Sequence, residues 1–305
     1  MNNKCRRYGV CAIVLIIVWC MVMGCTTPGA PPPHEPAQTG YKTVHVSDID
    51  IAYNEYGNGD PLIMIMGYSG TMDLWDPKVI LELAKHYRVI IFDNRGIGHS
   101  TSSDKEYTIP LFASDTAGLM DALEIKKAHV LGFSMGTIIA QELTLDYPQM
   151  VDKLILYAGD PGGKEMISPA QKDIEALQNT TGTGEERGKR LFLEMFPEAW
   201  LKQNPDPSKY FPKVTSMSPA VNVKRQLKAM EMWNGSYSRL SSLTQPLLLI
   251  TGDQDLLTPP GNSLVIAEQV PASWVVRIRG GGHGVMYQYP DEFSDIVLTF
   301  LKDAR

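Results

Sequence analysis

The chain has 305 residues, of which 44% are hydrophobic and 20% charged, and a formal net charge of -6. These values suit an ordinary globular protein, one large domain or two small ones, long enough to bury a substantial core. The acidic balance, with no long basic stretch to reverse it, argues against nucleic acid as a partner.

Residues 1–24 have the make-up of an export signal. Lys4, Arg6 and Arg7 precede an apolar run of fourteen residues, Val10 to Met23, which is short of the roughly 20 that a bilayer span takes. The run ends in "VMGC", Val22 to Cys25, which resembles the lipobox of prokaryotic lipoproteins, with Met23 in place of the preferred small residue. The resemblance implies cleavage before Cys25, a lipid on that cysteine, and an exported protein anchored at the extracytoplasmic side of a membrane. An uncleaved signal anchor is the alternative. The proline-rich stretch 25–40 reads as an extended tether. Cys5, Cys11 and Cys20 would leave with the signal, so neither a disulfide framework nor a cysteine nucleophile is expected in the folded domain.

From Tyr41 the pattern turns regular. "YKTVHVSD" and "IDIAYNEYG" alternate like the two strands of a hairpin. "PLIMIMG" is a short apolar strand followed by helical spacing in "DPKVILELAKHY". "RVIIFDNRG" and "TIPLFASDTAGLMDALEI" repeat the alternation, as do "AHVLGFS" and "GTIIAQELTLDYP", and "DKLILYAGD" is a further strand. Apolar strands that alternate with helices predict a mostly parallel sheet covered on both faces. The alternation lapses over residues 161–243, which read as helical or irregular, and resumes in "PLLLITGDQD", "SWVVRIRGGG" and a last helix, "PDEFSDIVLTFLKD". The expected organisation is one sheet in two parts, 41–160 and 244–305, around an insertion at 161–243.

Ligands of a parallel α/β sheet sit beyond the carboxyl ends of its strands, and four polar features fall there. Ser134 lies in Gly132-Phe133-Ser134-Met135-Gly136, a strand-to-helix turn whose small neighbours permit a sharp elbow. A serine hydroxyl needs a base, and His283, in "RGGGHGVMYQYP" after the last strand, is the histidine best placed to be one. The acid that orients such an imidazole is Asp255 or its rival Asp160, each at a strand end; the spacing Gly252, Asp255, Pro259 favours Asp255. Asp253 reads as a turn holder. For an oxyanion, the Met135 N–H follows the serine, and "IMGYSG" offers the Tyr68 N–H beside Gly67. The histidines are scattered with no short paired spacing, so no metal is expected.

Together these motifs make the chain similar to the α/β-hydrolase superfamily from Tyr41 to Arg305. "FDNRGIGHS" matches that fold's D-x-R-G-x-G-x-S turn through Asp93, Arg95, Gly96, Gly98 and Ser100, where the resemblance implies a structural role. Met66-Gly67 departs from the family's frequent His-Gly before the oxyanion donor. The resemblance implies an α/β-hydrolase fold, with residues 161–243 as a helical lid and Met195, Trp200, Met230 and Trp233 as candidates to line an apolar pocket. A serine at the elbow separates the chain from the relatives that use aspartate there.

The expected activity is hydrolysis of a small to medium carboxylic ester or related acyl bond, with no cofactor and a small-molecule substrate. Enol-lactonase, carbon–carbon bond hydrolase and cofactor-free perhydrolase reuse the same three side chains. A ligand receptor on the same scaffold is the non-enzyme alternative.

Overall fold

The computed structural model describes residues 40–179, 181–216 and 218–303. The expected signal, Cys25 and all but the last residue of the tether lie outside the described residues. Among those described, no helix is long and apolar enough to cross a membrane.

The described residues open with the antiparallel hairpin β1 (Lys42–Val46) and β2 (Ile49–Tyr56). Then come β3 (Pro61–Ile65), α1 (Pro77–Ala84), β4 (Arg88–Phe92), α2 (Ile109–Ala122), β5 (Ala128–Phe133), α3 (Met135–Asp146) and β6 (Val151–Tyr157). An excursion of helices follows: α4 (Gln171–Gln178), α5 (Gly184–Met195), α6 (Glu198–Gln203), α7 (Ala220–Glu231) and α8 (Tyr237–Leu240). The sheet resumes with β7 (Leu247–Gly252), α9 (Gly261–Gln269) and β8 (Trp274–Ile278), and α10 (Val285–Gln288) and α11 (Pro290–Lys302) close the chain.

The sheet order is β1-β2-β4-β3-β5-β6-β7-β8. Only β1–β2 and β2–β4 pair antiparallel; every other neighbour is parallel. This is the α/β-hydrolase fold, a mostly parallel sheet flanked by helices. Successive side chains of a strand point to opposite faces, and the core divides accordingly. Ile63, Val130, Leu154 and Leu249 belong to one buried cluster, and Leu62, Leu131, Ile155 and Leu248 to the other. β8 alternates half-buried and exposed residues up to the buried Ile278, because it is an edge.

Local chemistry sets several helix starts. The Asp76 carboxylate accepts the Lys78 and Val79 N–H groups ahead of Pro77, and Thr108 Oγ1 accepts the Leu111 N–H at α2. α9 is a core element that the sequence pattern does not announce. Its apolar residues Leu264, Val265, Ile266 and Ala267 run consecutively, so no helical stripe shows, yet the parallel β7–β8 pair requires a crossover between them.

The excursion leaves and re-enters the core through one neck. A Cβ on Gly162 would lie 2.8 Å from Gly235 Cα, and both glycines have positive φ, 61° and 86°. The Ser236 N–H donates to Pro161 O at 2.8 Å. The chain is thus back on the core at Ser236, ahead of Leu243, and Leu240 of α8 is fully buried in the first core cluster.

Candidate active site

The turn from β3 to α1 and the turn from β5 to α3 lie side by side, because β3 pairs with both β4 and β5 and the chain reverses direction across the sheet there. The carboxyl ends of β3 and β5 therefore flank a crevice. Ser134 stands in it with φ 54° and ψ -120°, a conformation that costs a non-glycine residue about 1–3 kcal/mol. Close packing enforces it. A Cβ on Gly132 would lie 2.3 Å from Gly136 O, and one on Gly136 would lie 2.0 Å from Ile65 O. Only glycines let the elbow approach β3, and the same packing brings Gly67 against Ser134: a Cβ there would lie 3.0 Å from Ser134 Cβ.

Tyr68 and Met135, the two expected amide donors, thus border the serine from both sides. Among the described residues neither N–H finds a hydrogen-bond acceptor. The N-terminus of α3 adds its positive dipole end at the same point. Where relatives often carry a histidine, Met66 is buried in the second core cluster, and its carbonyl accepts a hydrogen bond from Asn94 Nδ2 at 3.1 Å. Asn94 lies inside the "FDNRG" turn, so that turn braces this loop directly. The rest of the turn is held from below. Asp93 accepts the Met72 and His99 N–H groups, and its burial pushes its carboxyl up to about 6. Arg95 is buried between Asp115, at 2.6 and 2.7 Å, and Asp48. The guanidinium holds Asp48 well below the usual carboxylate range, whereas Asp115, being far more buried, is raised by desolvation despite the same partner.

His283 lies on the loop after β8 with its Nδ1 2.9 Å from Asp255 Oδ2 and 3.1 Å from Oδ1. Both residues are buried. Asp255 Oδ1 also accepts the Leu257 and Thr258 N–H groups at 2.9 and 2.8 Å, which fix the carboxylate before the imidazole meets it. Asp253 does the other half of the work: its Oδ1 accepts the Gly280 N–H at 2.7 Å and ties the histidine loop to the end of β7. Asp160 is not on the imidazole. Its Oδ1 accepts the Gly162 N–H at 2.8 Å, which holds the neck of the excursion, and burial raises its carboxyl.

Two aromatic residues join His283 to the elbow. The Phe133 ring lies 5.0 Å from the imidazole and is stacked 4.6 Å from Tyr157. The Tyr157 hydroxyl donates to His283 O and accepts the Met286 N–H, while Tyr157 O accepts the Ser134 N–H at 3.0 Å. In the sequence Tyr157 reads only as the end of an apolar strand; a buried phenol needs a partner, but nothing local says which.

The four apolar residues of the excursion fall in different places. Met195 is buried, and its carbonyl accepts the Gly284 N–H at 2.9 Å, beside His283. Trp200 stacks on Phe196 at 5.2 Å and meets Tyr210 at 4.6 Å. Met230 packs on the first core cluster, which includes Met135. Trp233 belongs to the neck: its indole N–H donates to Glu142 Oε1 at 2.6 Å, and its ring closes on Gly162. Among the described residues no group of histidine, cysteine, aspartate and glutamate could hold a metal ion.

The chain is similar in sequence and fold to known proteins. A putative non-heme bromoperoxidase, BpoC, of Mycobacterium tuberculosis is 29% identical over 84% of this chain and 99% of its own length. A putative carbamate hydrolase, RutD, of Azorhizobium caulinodans is 26% identical over 84% of the chain and 96% of its own. An alpha/beta hydrolase fold protein from Chitinophaga pinensis superposes with a TM-score of 0.75 at 26% identity, covering 88% of this chain and 98% of that one. The model of the alpha/beta hydrolase fold family matches residues 60–290, a stretch that holds the elbow, both candidate acids and the histidine loop. The chain belongs to that family.

Proposed function

We propose that this protein is a serine hydrolase that cleaves a small to medium uncharged carboxylic ester or related acyl bond through an acyl-enzyme. The observation that carries the reading is the Asp255–His283 pair at 2.9 Å, joined through Phe133 and Tyr157 to a serine on a left-handed elbow. Kinship with hydrolases of the same fold supports it.

Asp255 accepts the Nδ1–H of His283, which leaves the lone pair on Nε2. Nε2 takes the Ser134 proton as Oγ attacks the acyl carbon. The carbonyl oxygen gains the charge and receives the free N–H groups of Tyr68 and Met135. Collapse breaks the bond to the alcohol, which leaves with the proton from Nε2. Water then repeats the sequence: it gives a proton to Nε2, attacks the acyl carbon and releases the acid, and Ser134 recovers its proton. No cofactor enters these steps. The helices of residues 161–235 act as the lid, excluding water and shaping an apolar pocket.

A second reading is favoured by the bromoperoxidase relative: hydrogen peroxide in place of water as acyl acceptor, giving a peracid from the same acyl-enzyme. At the N-terminus, Cys25 is the proposed lipid attachment point of an exported protein. Its test is Cys25→Ser, which should release the protein from membranes or block its processing.

A fluorophosphonate probe tests the hydrolase reading. It should label the wild type and leave Ser134→Ala unlabelled. A panel of esters, carbamates and lactones, with and without peroxide, then sizes the pocket and separates the acceptors. Equal labelling of both proteins, or of neither, sinks the reading.

A further inference from the structure

We propose that Gln226, carried into the site by α7 of the excursion, is a positioning residue that aims the Tyr68 N–H at the reacting oxygen. The proposal rests on the serine-hydrolase reading above and adds to it a residue 157 positions away from the loop it controls.

The loop 66–70 is a string of peptide units, each held by a different partner. Asn94 holds Met66 O from the core side. Gly67 O accepts the Gly70 N–H at 3.2 Å. The Ser69 N–H donates to Gln226 Oε1 at 2.9 Å, and Ser69 O accepts the Ser218 hydroxyl at 3.0 Å. The peptide between Gly67 and Tyr68 is trans, so its N–H points away from its own carbonyl. With that carbonyl engaged in the turn and both flanking peptides pinned, the Tyr68 N–H has one direction left. Gln226 supplies the pin on the far side of the donor, at a residue that needs one. Ser69 has φ 58°, a left-handed conformation that an L side chain disfavours.

Stability alone does not account for a glutamine here. The side chain is fully buried, and its Nε2 has no hydrogen-bond partner among the described residues. A buried donor left unpaired is destabilising, a cost a leucine would avoid. The acceptor oxygen is what the position uses, and its orientation is not ambiguous, because the Ser69 N–H can only donate.

The helix that delivers Gln226 is fixed to the core. One turn earlier, Asn222 Nδ2 donates to Gly96 O at 2.8 Å. Arg225 lies 3.7 Å over the Tyr107 ring and donates to Ser102 Oγ and Ser103 O. The core-side partner and the excursion-side partner of the loop are therefore both rigid, and the donor is complete only when α7 is seated.

The test compares Gln226→Leu with Asn222→Leu in the full chain. Three readouts are used: fluorophosphonate labelling at Ser134, kcat and KM for p-nitrophenyl acetate, and Ki for a small alkyl trifluoromethyl ketone, whose serine adduct carries the oxyanion. The expected result for Gln226→Leu is a fall in kcat of about 10–100-fold, KM within about threefold, and a Ki weakened by the same factor as kcat. Asn222→Leu, which loosens the same helix without touching the loop, should lower the melting temperature and weaken the ketone Ki far less than Gln226→Leu does. If Gln226→Leu does not fold, Gln226→Met provides the same loss of a strong acceptor at conserved length. Ser134-dependent labelling with an unchanged ketone Ki in the Gln226 variant overturns the proposal. So does an equal loss in Asn222→Leu, which would reduce Gln226 to a general anchor of the helix. Absence of labelling in the wild type overturns instead the hydrolase reading on which it rests.

Discussion

Asp255 Oδ2 lies 2.9 Å from His283 Nδ1, and the other carboxylate oxygen is spoken for by the backbone N–H groups of Leu257 and Thr258. The imidazole thus meets an acid that is already oriented, which fixes the tautomer with the proton on Nδ1. Asp255→Asn should lower kcat/KM by about 10³–10⁴-fold while Ser134 remains in place. Asp160→Asn should stay within a few-fold of wild type, since its carboxylate holds the Gly162 N–H. Ester kinetics on the two variants decide the matter: a large loss confined to Asp160→Asn would remove Asp255 from the mechanism.

Tyr157 ties the elbow to the histidine loop through one hydroxyl that serves His283 O and the Met286 N–H. Tyr157→Phe keeps the ring on Phe133 and strands both backbone groups in a buried place. A loss of about 1–3 kcal/mol in urea unfolding is expected, along with a modest fall in kcat as His283 loosens. No change in stability would mean that the loop is held elsewhere.

Arg95 sits fully buried between Asp115 and Asp48. Removing it leaves Asp115 as an uncompensated buried charge, so Arg95→Ala should cost about 3–5 kcal/mol. Replacing all three by apolar residues of similar volume should recover much of that loss. Equilibrium denaturation of the single and triple variants measures the difference.

Asp93 gives the protein a pH dependence of known sign. Its carboxyl is pushed up to about 6 in the folded protein by burial, from an ordinary carboxylate value of 3.8. The folded state then binds the proton more tightly than the unfolded one between those two values. Its contribution to stability is full below about pH 4 and is lost as the pH rises through 6. The shift corresponds to about 3 kcal/mol at most. Asp93→Asn cannot titrate, so its urea midpoint, plotted against pH from 4 to 7, should lack this downward contribution even if the variant is less stable throughout. Parallel curves for the two proteins would exclude it.

Much of the site could be read before any folding. Ser134 announces itself because an elbow of this sharpness demands glycines on both sides, and the backbone contacts at Gly132 and Gly136 show why. His283 and the strand-end acids follow from a parallel sheet gathering its polar groups at one end. Met66 stands where the family frequently has histidine. Its carbonyl turned out to be held by Asn94 from the neighbouring turn. The helix α9 is hidden in the sequence because its apolar residues form no stripe, and Trp233, a candidate to line the pocket, gives its indole N–H to Glu142.

The sequence by itself determined the alternation of strands and helices, the elbow serine and the identity of its candidate base, because each of these rests on neighbours in the chain. The spacing already favours Asp255 over Asp160, but its contact with His283, the reach of Gln226 to Ser69 and the brace from Asn94 to Met66 belong to the tertiary structure. Those contacts join residues 28 to 157 positions apart. Their geometry depends on sheet order, register and the seating of the excursion on the core, none of which is encoded in any short stretch of residues.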